Sequence, residues 1–183
     1  GRRSNKQRIE KWVCVLKRVI IYFIEIVICF VLQSSLYQFI NLANVMPNLL
    51  LILVVSTAYM RGKTTGMTVG FFSGLLIDIA YGNLIGLYAL LMMIIGYVAG
   101  FANKVYSRDD YTLPLLFIAV ADFVYQFLYY IMEFLIRGRL DFPYYLRKII
   151  FPEIIYTVAV SVILYKLLHM INHSLDRNEN EEE

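Results

Sequence analysis

Long apolar runs separated by short polar turns dominate the chain. They fall at Val19–Leu36, Val45–Met60, Thr64–Ala80, Leu84–Ala102, Leu113–Ile136 and Ile149–Leu168. A helix of ~20 apolar residues crosses the ~30 Å hydrocarbon core of a bilayer. The pattern therefore predicts an all-α polytopic membrane protein, a six-helix transmembrane bundle. The second and third runs are short for a crossing. They either sit in locally thinned bilayer or form a re-entrant hairpin that leaves four spans. Six is preferred, because re-entrant backbone needs a cavity or protein around it. Pro47 is expected in the first turn of the second helix, where its missing N–H costs nothing. Three regions follow: an arm at 1–18, a transmembrane domain at 19–168, and a polar acidic tail at 169–183 that is expected to be disordered.

Composition strengthens this reading. Of the 183 residues 60% are hydrophobic and 17% charged, against roughly 25% charged in a soluble domain. Charge placement then orients the spans. Seven Lys and Arg lie in the arm, and Arg61, Lys63, Lys104, Arg108, Lys166 and Arg177 lie at turns or ends on the same predicted side. The other side holds Arg137, Arg139, Arg147 and Lys148. Basic residues concentrate on the cytoplasmic side, so the chain is expected in the cell membrane, multi-pass, with both termini cytoplasmic. The basic arm suits anionic lipid or a cytoplasmic filament; no nucleic-acid partner is expected. Cys14 and Cys29 have no metal-type spacing and read as small apolar side chains. No cleavable signal peptide is read before the first span.

Two patterns inside the spans bear on function. Gly66, Gly70, Gly74 and Asp78 recur every four residues and form one ribbon on a helix face, and Gly96 and Gly100 repeat the idea in the next span. Small residues let helices approach closely in lipid, so this is a helix-packing face or a partner interface, with packing preferred. Asp78 is expected to cap the Tyr81–Gly82–Asn83 turn or to act in function. The second pattern is polar: Asp122, Gln126, Tyr129 and Glu133 share a face of the fifth span, and Glu25 and Gln33 share one in the first. A carboxylate at mid-depth costs ~2.5–3.5 kcal/mol on insertion scales, so Asp122 must face protein or water or be protonated. A proton relay, a ligand cavity, partner recognition and an internal network all fit. If the two stripes face each other they make one polar interior. Glu153 reads as a dipole-favoured acid at the start of the sixth span.

Other signals fail on inspection. Gly62-Lys63-Thr64 lacks the earlier glycine of a phosphate-binding loop, since position 57 is Thr57. His169 and His173 lack the further ligands of a zinc site. No Ser–Lys or Ser–His pair lies convincingly within the membrane. No catalytic residue, metal or cofactor is expected. Outside the membrane, the stretch Arg137–Lys148 carries Arg137, Arg139, Phe142, Tyr144 and Tyr145, an aromatic and charged mixture suited to an interfacial exterior loop that contacts a partner.

The segments Met46-Pro47-Asn48-Leu49-Leu50-Leu51 and Met60-Arg61-Gly62-Lys63, the run from Gly66 through Asp78 to Gly82, and Gly86-Leu87-Tyr88-Ala89-Leu90 together resemble the rod shape-determining protein MreD family. Arg137 to Phe142 and Pro152-Glu153 fit less diagnostically, and the resemblance covers roughly residues 20–172. It implies a non-enzymatic membrane scaffold of the bacterial elongasome. Such a scaffold works with an MreC-like protein, the MreB-like filament, and RodA with its transpeptidase partner in lateral peptidoglycan synthesis. The family's fold is similar to the substrate-binding S-component of energy-coupling-factor vitamin transporters, which is the alternative function. The bulky Ile, Val and Phe residues of span one stand where those subunits commonly carry an Ala-x-x-x-Ala docking patch, which argues against that role. The resemblance assigns no catalytic site.

Overall fold

The computed structural model describes residues 2–39, 47–82, 85–106, 110–138 and 141–182. They form seven α-helices and no strand: α1 (Arg2–Phe39), α2 (Leu49–Arg61), α3 (Lys63–Tyr81), α4 (Leu87–Gly100), α5 (Thr112–Arg137), α6 (Phe142–Tyr145) and α7 (Phe151–Glu182). A 3₁₀ turn, Phe101–Val105, extends α4, and a π-helical turn, Leu146–Ile150, joins α6 to α7 in one unbroken run. The described helices thus make six rods. Three helical stretches, Leu87–Val105, Thr112–Met132 and Phe142–Asn178, are long and apolar enough to cross a membrane by length and composition.

The short second helix is the centre of the bundle. Every residue from Leu49 to Met60 is buried, and α1, α3, α4, α5 and α7 all pack on it. A helix that is apolar all round has no face to give to water and settles inside. Its 13 residues span only about 20 Å, so α2 falls short of a full hydrocarbon thickness. Both ends of α2 therefore need polar partners within the protein. At its start the Asn48 side chain accepts the Leu51 N–H at 3.2 Å, the Leu50 N–H donates to Gln33 Oε1 at 3.2 Å, and the Asn48 N–H donates to Thr157 Oγ1 at 3.2 Å. Pro47 stands just before this cap rather than in the first turn, because the Asn48 side chain is the group that closes the helix start. At its end Gly62 turns the chain into α3 with φ +102°, a conformation that side chains with a Cβ resist.

Helices α3 and α4 form the tightest pair. A Cβ on Gly66 would lie 2.7 Å from the Gly96 carbonyl oxygen, one on Gly70 would meet the Met92 carbonyl, and one on Gly74 would lie 2.5 Å from Ala89 Cα. Gly100 lies against the Lys63 backbone. The partners descend in α4 as they ascend in α3, an antiparallel seam of backbone on backbone. The surfaces left over are apolar: Phe23 and Ile28 of α1, Val120 and Phe123 of α5, and Ile155 and Ile163 of α7 are exposed. In a membrane protein that surface belongs to lipid.

Two expectations are corrected. Residues 169–182 are not a disordered tail: α7 continues through them to Glu182. Asp176 holds the extension by accepting from Arg18 at 3.2 Å and lying 3.0 Å from Arg61. The part of the stretch from Phe142 to Lys148 is helical rather than a loop. Phe142 packs on Phe127 and Tyr130 with ring centroids at 6.0 and 5.2 Å, and Tyr145 on Tyr130 at 5.2 Å. These ring contacts hold the segment against α5.

Candidate functional site

The ion pairs of Asp176 with Arg18 and Arg61 bring the first helix, the end of α2 and the last helix together, so both chain ends lie at one end of the bundle, hereafter the terminal end. At the opposite end, the C-terminal parts of α1, α3 and α5 and the starts of α2, α4 and α7 surround a cavity of about 450 Å³. Gln33 and Tyr37 reach it from α1, Tyr81 from α3, Tyr88 from α4, Gln126 and Tyr129 from α5, and Glu153 from α7. Tyr88 stacks on Tyr129 with centroids 5.5 Å apart, and Tyr37 leans on Tyr81 at 6.2 Å. The Tyr81 hydroxyl hydrogen-bonds Ser34 Oγ at 2.9 Å.

The polar stripes of the first and fifth helices thus meet, but only in part. Gln33, Gln126 and Tyr129 share the cavity. Glu25 lies toward the terminal end beside Tyr22 and Arg61, around a void with room for about one water. Asp122 is 0% exposed. Thr157 of α7 stands beside it, yet neither carboxylate oxygen meets hydrogen-bond geometry with a described residue. The Glu133 and Arg137 side chains and all of Arg139 lie outside the described residues. Tyr144 is 58% exposed, with Lys148 Nζ 5.0 Å from its ring centroid. Glu153 sits well inside the helical run that starts at Phe142, so it is not at a free helix start; its side chain faces the cavity.

The glycine ribbon packs within the bundle along α4, as described above. Asp78 closes that seam in a way spacing does not reveal. Its carboxylate, 2% exposed, accepts the N–H groups of Gly86, Tyr88 and Ala89, each at 3.0 Å. It caps α4 from α3 rather than the turn at Tyr81–Gly82, where the Gly82 N–H donates to the Asp78 backbone carbonyl at 3.0 Å. One side chain therefore satisfies three orphan donors of a helix start.

Sequence reasoning singled out Tyr129 but missed Tyr37, Tyr81 and Tyr88 of the cavity and the clustering of aromatic rings at the terminal end. There Tyr59, Tyr106, Tyr111, Tyr165 and His169 contact one another at 5.3–6.5 Å between centroids. The Tyr106 hydroxyl meets His169 Nδ1 at 3.2 Å. The signal was present in the 15 tyrosines, an unusual load of side chains that pack in lipid yet keep a polar tip.

The sequence profile of the rod shape-determining protein MreD matches residues 14–172. The chain belongs to the MreD family. That span takes in all of the cavity residues and both ends of the glycine seam. The family is one of membrane proteins with a role in rod shape determination, in the shape-determining complex with MreC and related proteins. No curated protein and no solved structure matches the chain.

Proposed function

We propose that this chain is a non-enzymatic, multi-pass scaffold of the bacterial elongasome, crossing the cytoplasmic membrane six times with both termini in the cytoplasm. It holds an MreC-like partner at the end bearing the cavity, and through it RodA and its transpeptidase, in support of lateral peptidoglycan synthesis. The family match over residues 14–172 carries the reading. The ion pairs that set α1 and α7 together and the basic residues of the terminal end support the orientation. That basic end faces anionic lipid and the MreB-like filament. The glycine seam serves as internal packing, and the exposed Tyr144 and the cavity remain as partner surfaces.

A photo-crosslinking residue at Tyr144 or Tyr37 in cells tests this. Adducts with the MreC-like protein are expected, and cells lacking the chain should round up. Rod-shaped cells after its loss, with no such adduct, would sink the reading. The cavity also favours a second reading, a small-molecule-binding S-component. That reading requires co-purification with two ATPases and a large coupling subunit instead.

A further inference from the structure

The cavity has a composition that selects among ligands. Two pairs of tyrosines line it, Tyr37 with Tyr81 and Tyr88 with Tyr129. Among the described residues Glu153 is the one carboxyl group lining it, and no Lys, Arg or His does. The nearest basic pair in sequence, Arg147 and Lys148, is exposed, and the Lys148 ammonium lies by the Tyr144 ring instead. Electron-rich ring faces attract cations, and more strongly where water is scarce. A carboxylate adds a charge-assisted hydrogen bond to an N–H donor. The amide oxygens of Gln126 and Gln33 can accept further N–H groups.

One feature opposes this. The start of α2 borders the cavity at Pro47 and Asn48, and the positive end of a helix favours anions. However, its N–H groups at Asn48, Leu50 and Leu51 already donate to Thr157, Gln33 and Asn48. Three of the donors that an anion would need there are thereby taken.

We infer that this cavity is a binding site for an organic cation, an alkylammonium or guanidinium group seated between the tyrosine rings and paired with Glu153. The group comes either from a free amine or from a Lys or Arg side chain of a protein partner. The inference deepens the partner-binding reading, but it is tested on the purified chain alone, so the two fail separately.

The experiment is isothermal titration of the full chain in nanodiscs with agmatine, with glutarate as the anionic probe and 1-pentanol as a neutral one. A second titrant is a soluble peptide carrying a single arginine, beside the same peptide with citrulline in its place. Saturable agmatine binding, weakened about tenfold or more by Glu153→Gln and by Tyr129→Leu, is the expected result and indicates a free amine. Binding of the arginine peptide only, lost with citrulline and weakened by Glu153→Gln, also supports the inference and indicates a side chain. Circular dichroism and gel filtration verify that the variants are folded. Tyr111→Phe at the terminal end should leave binding unchanged. Equal binding of the neutral probe, preference for glutarate, insensitivity to Glu153→Gln, or no saturable binding of either cation overturns it.

Discussion

Replacing Gly70 with alanine tests the α3–α4 seam by the sign of the effect. On helix propensity alone, Gly→Ala inside a helix stabilises by about 0.5–1 kcal/mol. The seam predicts the opposite. The new Cβ would overlap the Met92 carbonyl group, with its carbon at 2.8 Å and the Met93 nitrogen at 3.2 Å. The nearest atom of all is the Met92 carbonyl oxygen, so the obstacle is backbone, which cannot rotate away. Either α3 and α4 part along the seam or α4 bends. A gap of roughly 0.5–1 Å forfeits a quarter to a half of each dispersion contact, and overpacking of a tight core costs about 1–3 kcal/mol. The net expectation is a loss of about 1–2 kcal/mol. Cys29 provides the assay. It is buried, so a thiol-reactive dye reports unfolding in a Cys14→Ser background. The midpoint should fall by roughly 2–8 °C. Truncating Met92 to alanine in the same chain should not restore it, because the clash is with the Met92 backbone. A midpoint that rises, following propensity, would refute the packing.

The same dye assay reads three further changes. Asp78→Ala strands three N–H groups, that of Ala89 buried and those of Gly86 and Tyr88 part-buried, and should cost about 2–3 kcal/mol; Asp78→Asn keeps one acceptor and should cost about half that. Gln33→Leu leaves the Leu50 N–H unpaired and should cost about 1–2 kcal/mol; an unchanged midpoint would mean that α2 is not capped from α1. Asp176→Asn removes the negative charge shared by Arg18 and Arg61, at partly exposed positions, so stability should change by less than about 1 kcal/mol. Tryptic cleavage after Arg177 should accelerate nonetheless, and an unaltered cleavage rate would show that the ion pairs do not hold the end of α7.

Sequence alone determined what depends on period and composition. Six apolar stretches map onto six helical rods because apolar length and turn residues are local properties of the chain. The Gly66–Gly70–Gly74 ribbon was legible as a contact face because four-residue spacing aligns on any helix. Tertiary structure decided which surface each face meets. The α2 stretch is short, as the third run is, and does not by itself say which of the six lies at the centre; Gln33 and Thr157, distant in sequence, arrive to cap its start. Asp78 reaches the start of α4 only because the seam sets α3 and α4 in register. Glu153 and the tyrosines of α1, α3, α4 and α5 are scattered along the chain and become one cavity only when the helices pack. A side chain's environment in a bundle is set by neighbours far away in sequence, and local pattern carries no record of them.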